Sequence, residues 1–231
     1  MPLLALGQLA VGRPLDAIET RTLATWDPVE IEPKQHLIDI GAVYRFIAKD
    51  YDAGHNRQRA RHFAAFLDTH ADGSVGSVLD LCCGTGLLGP TLRRRARHLT
   101  GIDLSAEMLN RVPPGLYDDL YQTDAATFLR DSQNSFDLII VANVMPYFRD
   151  AAAIINLLAR RLNGNGCCAL VIDACADRYD VRSTSGGVRN QKADYCHSIR
   201  YLTASAAAAG RSVHRCIVSE YRTCPGAYFI L

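Results

Sequence analysis

The stretch Gly76-Ser-Val-Leu-Asp80-Leu-Cys-Cys-Gly84-Thr-Gly86-Leu-Leu-Gly89 decides the fold. Val78, Leu79 and Leu81 form a short apolar run interrupted by Asp80, and three glycines lead from it into Leu92-Arg-Arg-Arg-Ala-Arg97. The pattern predicts a strand, a tight turn and a helix, the opening unit of an α/β domain that binds a nucleotide. Lacking a Cβ, the glycines let the backbone turn sharply and let a ligand approach its amides where the helix begins.

Two ligand classes suit such a turn. Gly84-x-Gly86-x-x-Gly89 satisfies the dinucleotide fingerprint, and Asp103, closing the next apolar run His98-Leu-Thr-Gly-Ile-Asp103, is placed to take ribose hydroxyls. Asp80 separates the two. A carboxylate at the tip of the first strand repels a pyrophosphate but attracts the ammonium of the methionine part of S-adenosylmethionine (SAM). The charge favours SAM over NAD, so an NAD-dependent oxidoreductase is the lesser alternative.

Asp80-Leu-Cys-Cys-Gly84-Thr-Gly86, Gly101-Ile-Asp103-Leu-Ser-x-x-Met108 and Phe136-Asp-Leu-Ile-Ile-Val-Ala-Asn143 stand in the order and spacing of three motifs. Through them residues 75 to 231 resemble the class I SAM-dependent methyltransferases. Cys82 departs from the family, standing where its first glycine usually lies; a small Cys is tolerated there unless the backbone is left-handed. The resemblance implies that Asp80, Cys82, Gly84 and Gly86 cradle the amino acid end of SAM. By the same resemblance Asp103 takes the ribose, Leu104 and Met108 flank the adenine, Asp124 with Ala125 meets the adenine amino group, and Asn143 lines the methionine side. An Asp after a strand is also a good helix cap, so Asp124 has a second reading. The product would be S-adenosyl-L-homocysteine.

From Leu79 onward strands and helices alternate: strand 98–103, helix 105–111, strand 119–123, helix 125–131, strand 135–142, helix 149–162 and strand 166–173, with Gly164 and Gly166 ending the long helix. The alternation implies a doubly wound, mostly parallel sheet, and the family fold adds a terminal antiparallel hairpin to make seven strands. Ligands in such sheets bind outside the carboxyl ends of the strands. The polar segment 177–192 is too long for a plain connection and reads as a substrate lid or a disordered segment. Asp194 to Ala209 reads as a loop and helix carrying His197, whose unperturbed pKa suits a general base, although it could equally hold the lid or cap the helix. His55 and Tyr147 complete the candidate catalytic set, and Tyr44 and Tyr51 are candidate pocket aromatics.

The rest of the chain sets bounds. At 231 residues and 48% hydrophobic, the sequence supports one full core with an appendage. Residues 1–34 read as a helical hairpin extension, and 35–231 as the catalytic domain with its cap helices. Gly12-Arg-Pro-Leu-Asp-Ala-Ile18 with Trp26-Asp27-Pro28 resembles a single tetratricopeptide unit, as in a bacterial subgroup of these methyltransferases, and suggests a helical cap packed on the catalytic domain or on a second subunit, the latter a homodimer through the N-terminal helices. A net charge of +1 gives no basic field for nucleic acid, and Arg93 to Arg97 reads as a solvated helix face. The eight cysteines show no Cys-x-x-Cys spacing, so no metal is expected, and they read as apolar residues of a reduced compartment. With no long apolar run, the expectation is a cytoplasmic chain away from membranes. The function expected is methyl transfer from SAM to a small-molecule metabolite; the alternative from another class is an interaction scaffold that binds SAM without catalysis.

Overall fold

The structure, a computed structural model, describes residues 8–9, 40–71, 73, 75–175, 188–189, 195–219 and 226–231. In chain order these give β1 (Gln8–Leu9), α1 (Ile40–Ile47), α2 (His55–His70), β2 (Val75–Leu81), α3 (Gly89–Arg93), β3 (Ala96–Asp103), α4 (Ala106–Leu109) and β4 (Asp119–Gln122). There follow α5 (Ala125–Asp131), β5 (Phe136–Val141), α6 (Ala151–Arg161), β6 (Leu162–Cys175), β7 (Val188–Arg189), β8 (Tyr195–Ser198), α7 (Ile199–Ala208), β9 (Arg215–Ser219) and β10 (Gly226–Ile230). The chain divides into two units, Gln35–Ala142 with Arg160–Cys168, and Met1–Lys34 with Asn143–Ala159 and Ala169–Leu231.

The first unit carries a parallel sheet in the order β5-β2-β3-β4, with the opening half of β6 beside β5. In β2, Val78 stands between Leu99 and Leu138, Leu79 between Thr100 and Ile139, and Asp80 between Gly101 and Ile140. A central parallel strand is covered on both faces, which is why β2 reads as apolar without alternation: Val78, Leu79 and Leu81 are all fully buried. Ahead of the sheet, α2 buries Ala60, Phe63, Phe66 and Leu67, the one-sided spacing of a helix packed on a core.

The second unit contains the antiparallel part. β10 runs against β9 from Gly226–Ser219 to Ile230–Arg215, and against the closing half of β6 from Gly226–Asp173 to Ile230–Ala169. β8 pairs in parallel with the end of β6, setting His197 opposite Ala174, and β7 pairs with β8.

The α/β class, the mostly parallel sheet and the terminal antiparallel hairpin are therefore as the sequence predicts. Several local expectations are corrected. Gln8 and Leu9 form a strand against Cys216 and Ile217 rather than part of a helix, so strands beyond the expected seven are present; the rest of the hairpin 3–27 and its Trp26 lie outside the described residues. β6 starts at Leu162, which puts Gly164 and Gly166 inside the strand. Gly166 is there because a Cβ would lie 2.7 Å from the Phe136 carbonyl oxygen of β5. The helix α3 stops at Arg93; Arg94 and Arg97 are exposed, as a solvated face requires, while Arg93 and Arg95 are tied down. Arg93 binds Asp118 at 2.6 Å and the Ala96 carbonyl, and Arg95 binds Asp68 at 2.6 Å and the Ala71 carbonyl. Cys82 and Cys83 follow β2 rather than lying within it. His197 lies in a strand, with the helix beginning two residues later. Most of the segment 177–192 lies outside the described residues. Among the described residues no helix is long and apolar enough to cross a membrane, and no group of three metal-ligating side chains occurs.

Candidate functional site

The ends of β2 and β3 carry the two carboxylates that the sequence singles out. Asp80 is 2% exposed, and the Tyr117 hydroxyl donates to its Oδ2 at 2.7 Å. Burial pushes this carboxyl up to about 7, against the pull of the Tyr117 hydrogen bond and with a further push from the Asp103 charge. Asp103 is half-buried and accepts the Gly84 N–H on Oδ2 and the Ser105 N–H on Oδ1, each at 2.9 Å. Its burial also raises the carboxyl, opposed by the N–H groups of Ser105, Gly84 and Leu104. A carboxylate has about four acceptor positions, so Asp103 keeps acceptor capacity for a hydroxyl.

The turn between these strands is strained where a ligand would need room. Gly84 and Gly86 have φ of 58° and 80°, and Cys82 has φ of 60°. The left-handed backbone at Cys82 is the exception under which Cys is not tolerated freely; a non-glycine residue in this region costs roughly 1–2 kcal/mol. Asp103 locks the turn through the Gly84 N–H, while Cys83 N–H reaches the Ile102 carbonyl at 2.8 Å.

The segment before β2 closes on this turn from the other side. A Cβ on Gly84 would lie 3.4 Å from Met108 Cε and 3.8 Å from Tyr51 Cε1, so these two side chains flank the glycine. Tyr51 is itself met edge-on by Tyr44, with ring centroids 5.8 Å apart. Thr85 Oγ1 donates to Asp52 Oδ1 at 2.5 Å, and Arg45 pairs with Glu107 at 3.2 Å. Leu104 stays 47% exposed beside Asp103, an apolar surface at the place where the resemblance expects adenine. Ala125 is buried, and Asp124 caps α5 by accepting the Thr127 N–H at 3.0 Å. Its second reading, as a helix cap, is thus the contact observed.

Tyr117, Asp52 and Thr85 are the residues the sequence reading missed. Tyr117 is the most consequential. Its ring and Leu116 fill the space that Gly86, Gly89 and Gly101 leave open, since a Cβ on Gly101 would lie 2.8 Å from Tyr117 Cδ1 and one on Gly89 2.5 Å from Leu116 Cδ2. A glycine inside a strand, as at Gly101, is the signal that something large approaches there.

The remaining candidates are placed one by one. Asn143 follows β5 with φ of 59°, a left-handed position that Asn adopts more readily than most residues. His55 is exposed as the first residue of α2, and Tyr147 is 37% exposed in the 3-10 turn Met145–Tyr147. His197 is 1% exposed, with Nε2 at 2.9 Å from the Phe148 carbonyl oxygen. Because a carbonyl only accepts, Nε2 carries the hydrogen. Next to it Ser198 caps α7 by accepting the Tyr201 N–H, and the Tyr201 hydroxyl donates to Asp150 Oδ1 at 3.0 Å.

A methyltransferase-domain family matches residues 53–214, from the segment that closes on the glycine turn to the approach of β9. The chain belongs to that methyltransferase family. Among curated relatives, the ubiquinone biosynthesis O-methyltransferase of Idiomarina loihiensis is 33% identical over 108 residues, covering 44% of each chain. That of Xylella fastidiosa strain 9a5c is 32% identical over 98 residues, 40% of each. The chain spans less than half the length of the curated relatives it matches. Solved structures share the fold more widely. A Leishmania major SAM-dependent methyltransferase superposes with a TM-score of 0.66 at 15% identity, over 91% of this chain and 88% of that one. The DhpI complex with SAM gives 0.63 at 22% identity, over 87% and 100%.

Proposed function

We propose that this methyltransferase-family chain binds SAM and transfers its methyl group to a small-molecule acceptor. The observation that carries the reading is the pair of carboxylates at the ends of β2 and β3. Asp80 is buried with one hydroxyl donor, a setting that favours a cationic partner, and Asp103 holds the glycine turn while keeping acceptor capacity for a ribose. These residues fit SAM. Asp80 suits the ammonium, Gly84 and Gly86 give close approach, Asp103 suits the ribose, and Leu104 and Met108 offer an apolar adenine face. Asp124, Ala125 and Asn143 complete the proposed cofactor set. A pyrophosphate would meet the Asp80 charge instead, which disfavours NAD.

SAM supplies a methyl group activated by its sulfonium. The protein's part is to align an acceptor in line with it and exclude water. We assign acceptor-side roles to His55 and Tyr147, whose side chains are exposed, and a positioning role to His197, which holds the Phe148 carbonyl next to Tyr147. The named activities of the curated relatives and of the solved neighbours, all on small molecules where an acceptor is named, support a metabolite acceptor. The single tetratricopeptide-like unit at 12–28 supports a homodimer through the N-terminal segment, tested by concentration-dependent sedimentation of the full chain.

Calorimetric titration with SAM, S-adenosyl-L-homocysteine and NAD tests the cofactor. Binding of the first two without NAD is the expected result, and binding of NAD alone would sink the reading. Turnover with a panel of small acceptors then tests catalysis. His197→Ala should lower that turnover about tenfold with little change in SAM affinity.

A further inference from the structure

We propose that Tyr117 is the positioning residue for the cofactor's amino acid end: its hydroxyl keeps the Asp80 carboxylate ionised and fixes one of its oxygens, leaving the other for the ammonium. This rests on the SAM reading above and adds to it a residue outside the glycine turn and outside the strand tips.

The geometry comes first. Tyr117 is 8% exposed and its hydroxyl reaches Asp80 Oδ2 at 2.7 Å, the length of a charge-assisted O–H to carboxylate bond. Asp80 is buried on the central strand, where an ionised carboxylate without a donor would be costly. Three positions that lack a Cβ lie against this side chain. Cβ atoms built on Gly86, Gly89 and Gly101 would lie 3.2, 3.1 and 2.8 Å from Tyr117 atoms. A substitution at any of them would push on the ring and, through its hydroxyl, on Asp80. Tyr117 thus ties the shape of the glycine turn to the orientation of the carboxylate beside it.

The titratable groups around Asp80 are few. Among the described residues they are, besides Tyr117, Asp103 at the end of β3, and Cys82 and Cys83 in the turn. Burial, then the charges of nearby acids including Asp80, push both thiols and the Tyr117 hydroxyl far up, so these stay protonated and Tyr117 remains a donor at every working pH. With Asp80 at about 7, its ionisation is the titration that SAM binding would read, and affinity should climb as pH rises through neutrality. Removing the hydroxyl takes away a hydrogen bond to the charged form, so the midpoint should move to higher pH.

The test is SAM and adenosine affinity of the full chain, wild type and Tyr117→Phe, measured by calorimetry from pH 6 to 9. The Phe variant keeps the ring that fills the glycine space. The expected result is about tenfold weaker SAM binding at pH 7, a midpoint shifted upward, and unchanged adenosine affinity, because adenosine has no amino acid end. In an Asp80→Asn background the same change should do nothing further, since the residue acts through Asp80. Equal SAM affinity and pH profile in the Phe variant would overturn the inference. So would parallel loss of adenosine, which would make Tyr117 a packing residue only. If wild-type protein binds adenosine but not SAM, the cofactor reading itself falls.

Discussion

Asp80 and Asp137 lie on the paired parallel strands β2 and β5, one at the carboxyl end and one at the start, and their surroundings are opposite in sense. Asp137 accepts the Ser77 N–H at 2.8 Å, the Ser77 hydroxyl at 3.3 Å and the Asn163 amide at 2.7 Å. The Ser77 N–H, then Asn163, hold its carboxyl below the usual range. It ties the openings of β2, β5 and β6 together. Asp80 is more deeply buried, has a single donor among the described residues and is held far above that range. A carboxylate that serves the fold is satisfied by the fold; one left under-satisfied in a buried place is a group the protein maintains at some cost to stability. On the proposed function, the difference places architecture at one end of the strands and ligand chemistry at the other.

The sharpest way to break this comparison is Asp80→Asn. It keeps shape and an acceptor for Tyr117 but removes the charge. SAM affinity should fall about 100-fold, the worth of a desolvated charge-assisted contact, with adenosine affinity unchanged. The melting temperature should rise. A stability loss without an affinity loss would make Asp80 the structural member of the pair. Next comes Asp137→Ala, which strands the Ser77 N–H and the Asn163 amide. It should cost about 1–2 kcal/mol of unfolding free energy by chemical denaturation while leaving SAM affinity as it was.

The pH dependence of these effects runs in opposite directions. Asp137 has a folded pKa below 3.8, so the stability it contributes is present above the unfolded value and is lost as pH falls through the folded one. The deficit of Asp137→Ala should therefore shrink below about pH 4. Asp80 binds its proton more tightly when folded, so ionising it between 3.8 and about 7 erodes stability as pH rises. The gain of Asp80→Asn should grow over that window and vanish below it. Thermal melts across pH 3 to 8 read both, and slopes of the same sign would refute the contrast.

The same contrast explains what was legible in the sequence. Asp80, Asp103 and the glycine pair could be read because local pattern places them: a carboxylate at the end of an apolar run and glycines in the turn that follows. β3, β4, α5 and β5 fell within about two residues of expectation for the same reason. Tyr117, Asp52 and Thr85 could not be read, since each acts on a partner 33 or 37 residues away in sequence, and no local period encodes such a contact. β6 was misjudged because Gly164 and Gly166 resemble a helix stop; only the approach of the Phe136 carbonyl explains the second of them. For Cys82 the outcome hung on a backbone angle that sequence does not give. His197 lies in a strand rather than at the expected loop-to-helix junction, and its burial against Phe148 depends on chain far from it in sequence.

The smallest effect refines the structural half of the comparison. A Cβ on Gly76 would lie 2.6 Å from Asp137 Oδ2, so Gly76→Ala must displace that oxygen, the one the Ser77 N–H donates to. The neighbour in the way is the far end of a short, half-exposed side chain, which can swing aside; at Gly101 the neighbour is the buried Tyr117 ring, which cannot. Gly76→Ala should therefore cost only about 1 kcal/mol, the net worth of one hydrogen bond, with SAM affinity unchanged. In an Asp137→Ala background the oxygen is gone and the alanine meets nothing, so the second substitution should then cost nothing. Full additivity of the two in denaturant melts would mean that Gly76 is required by its backbone and not by Asp137.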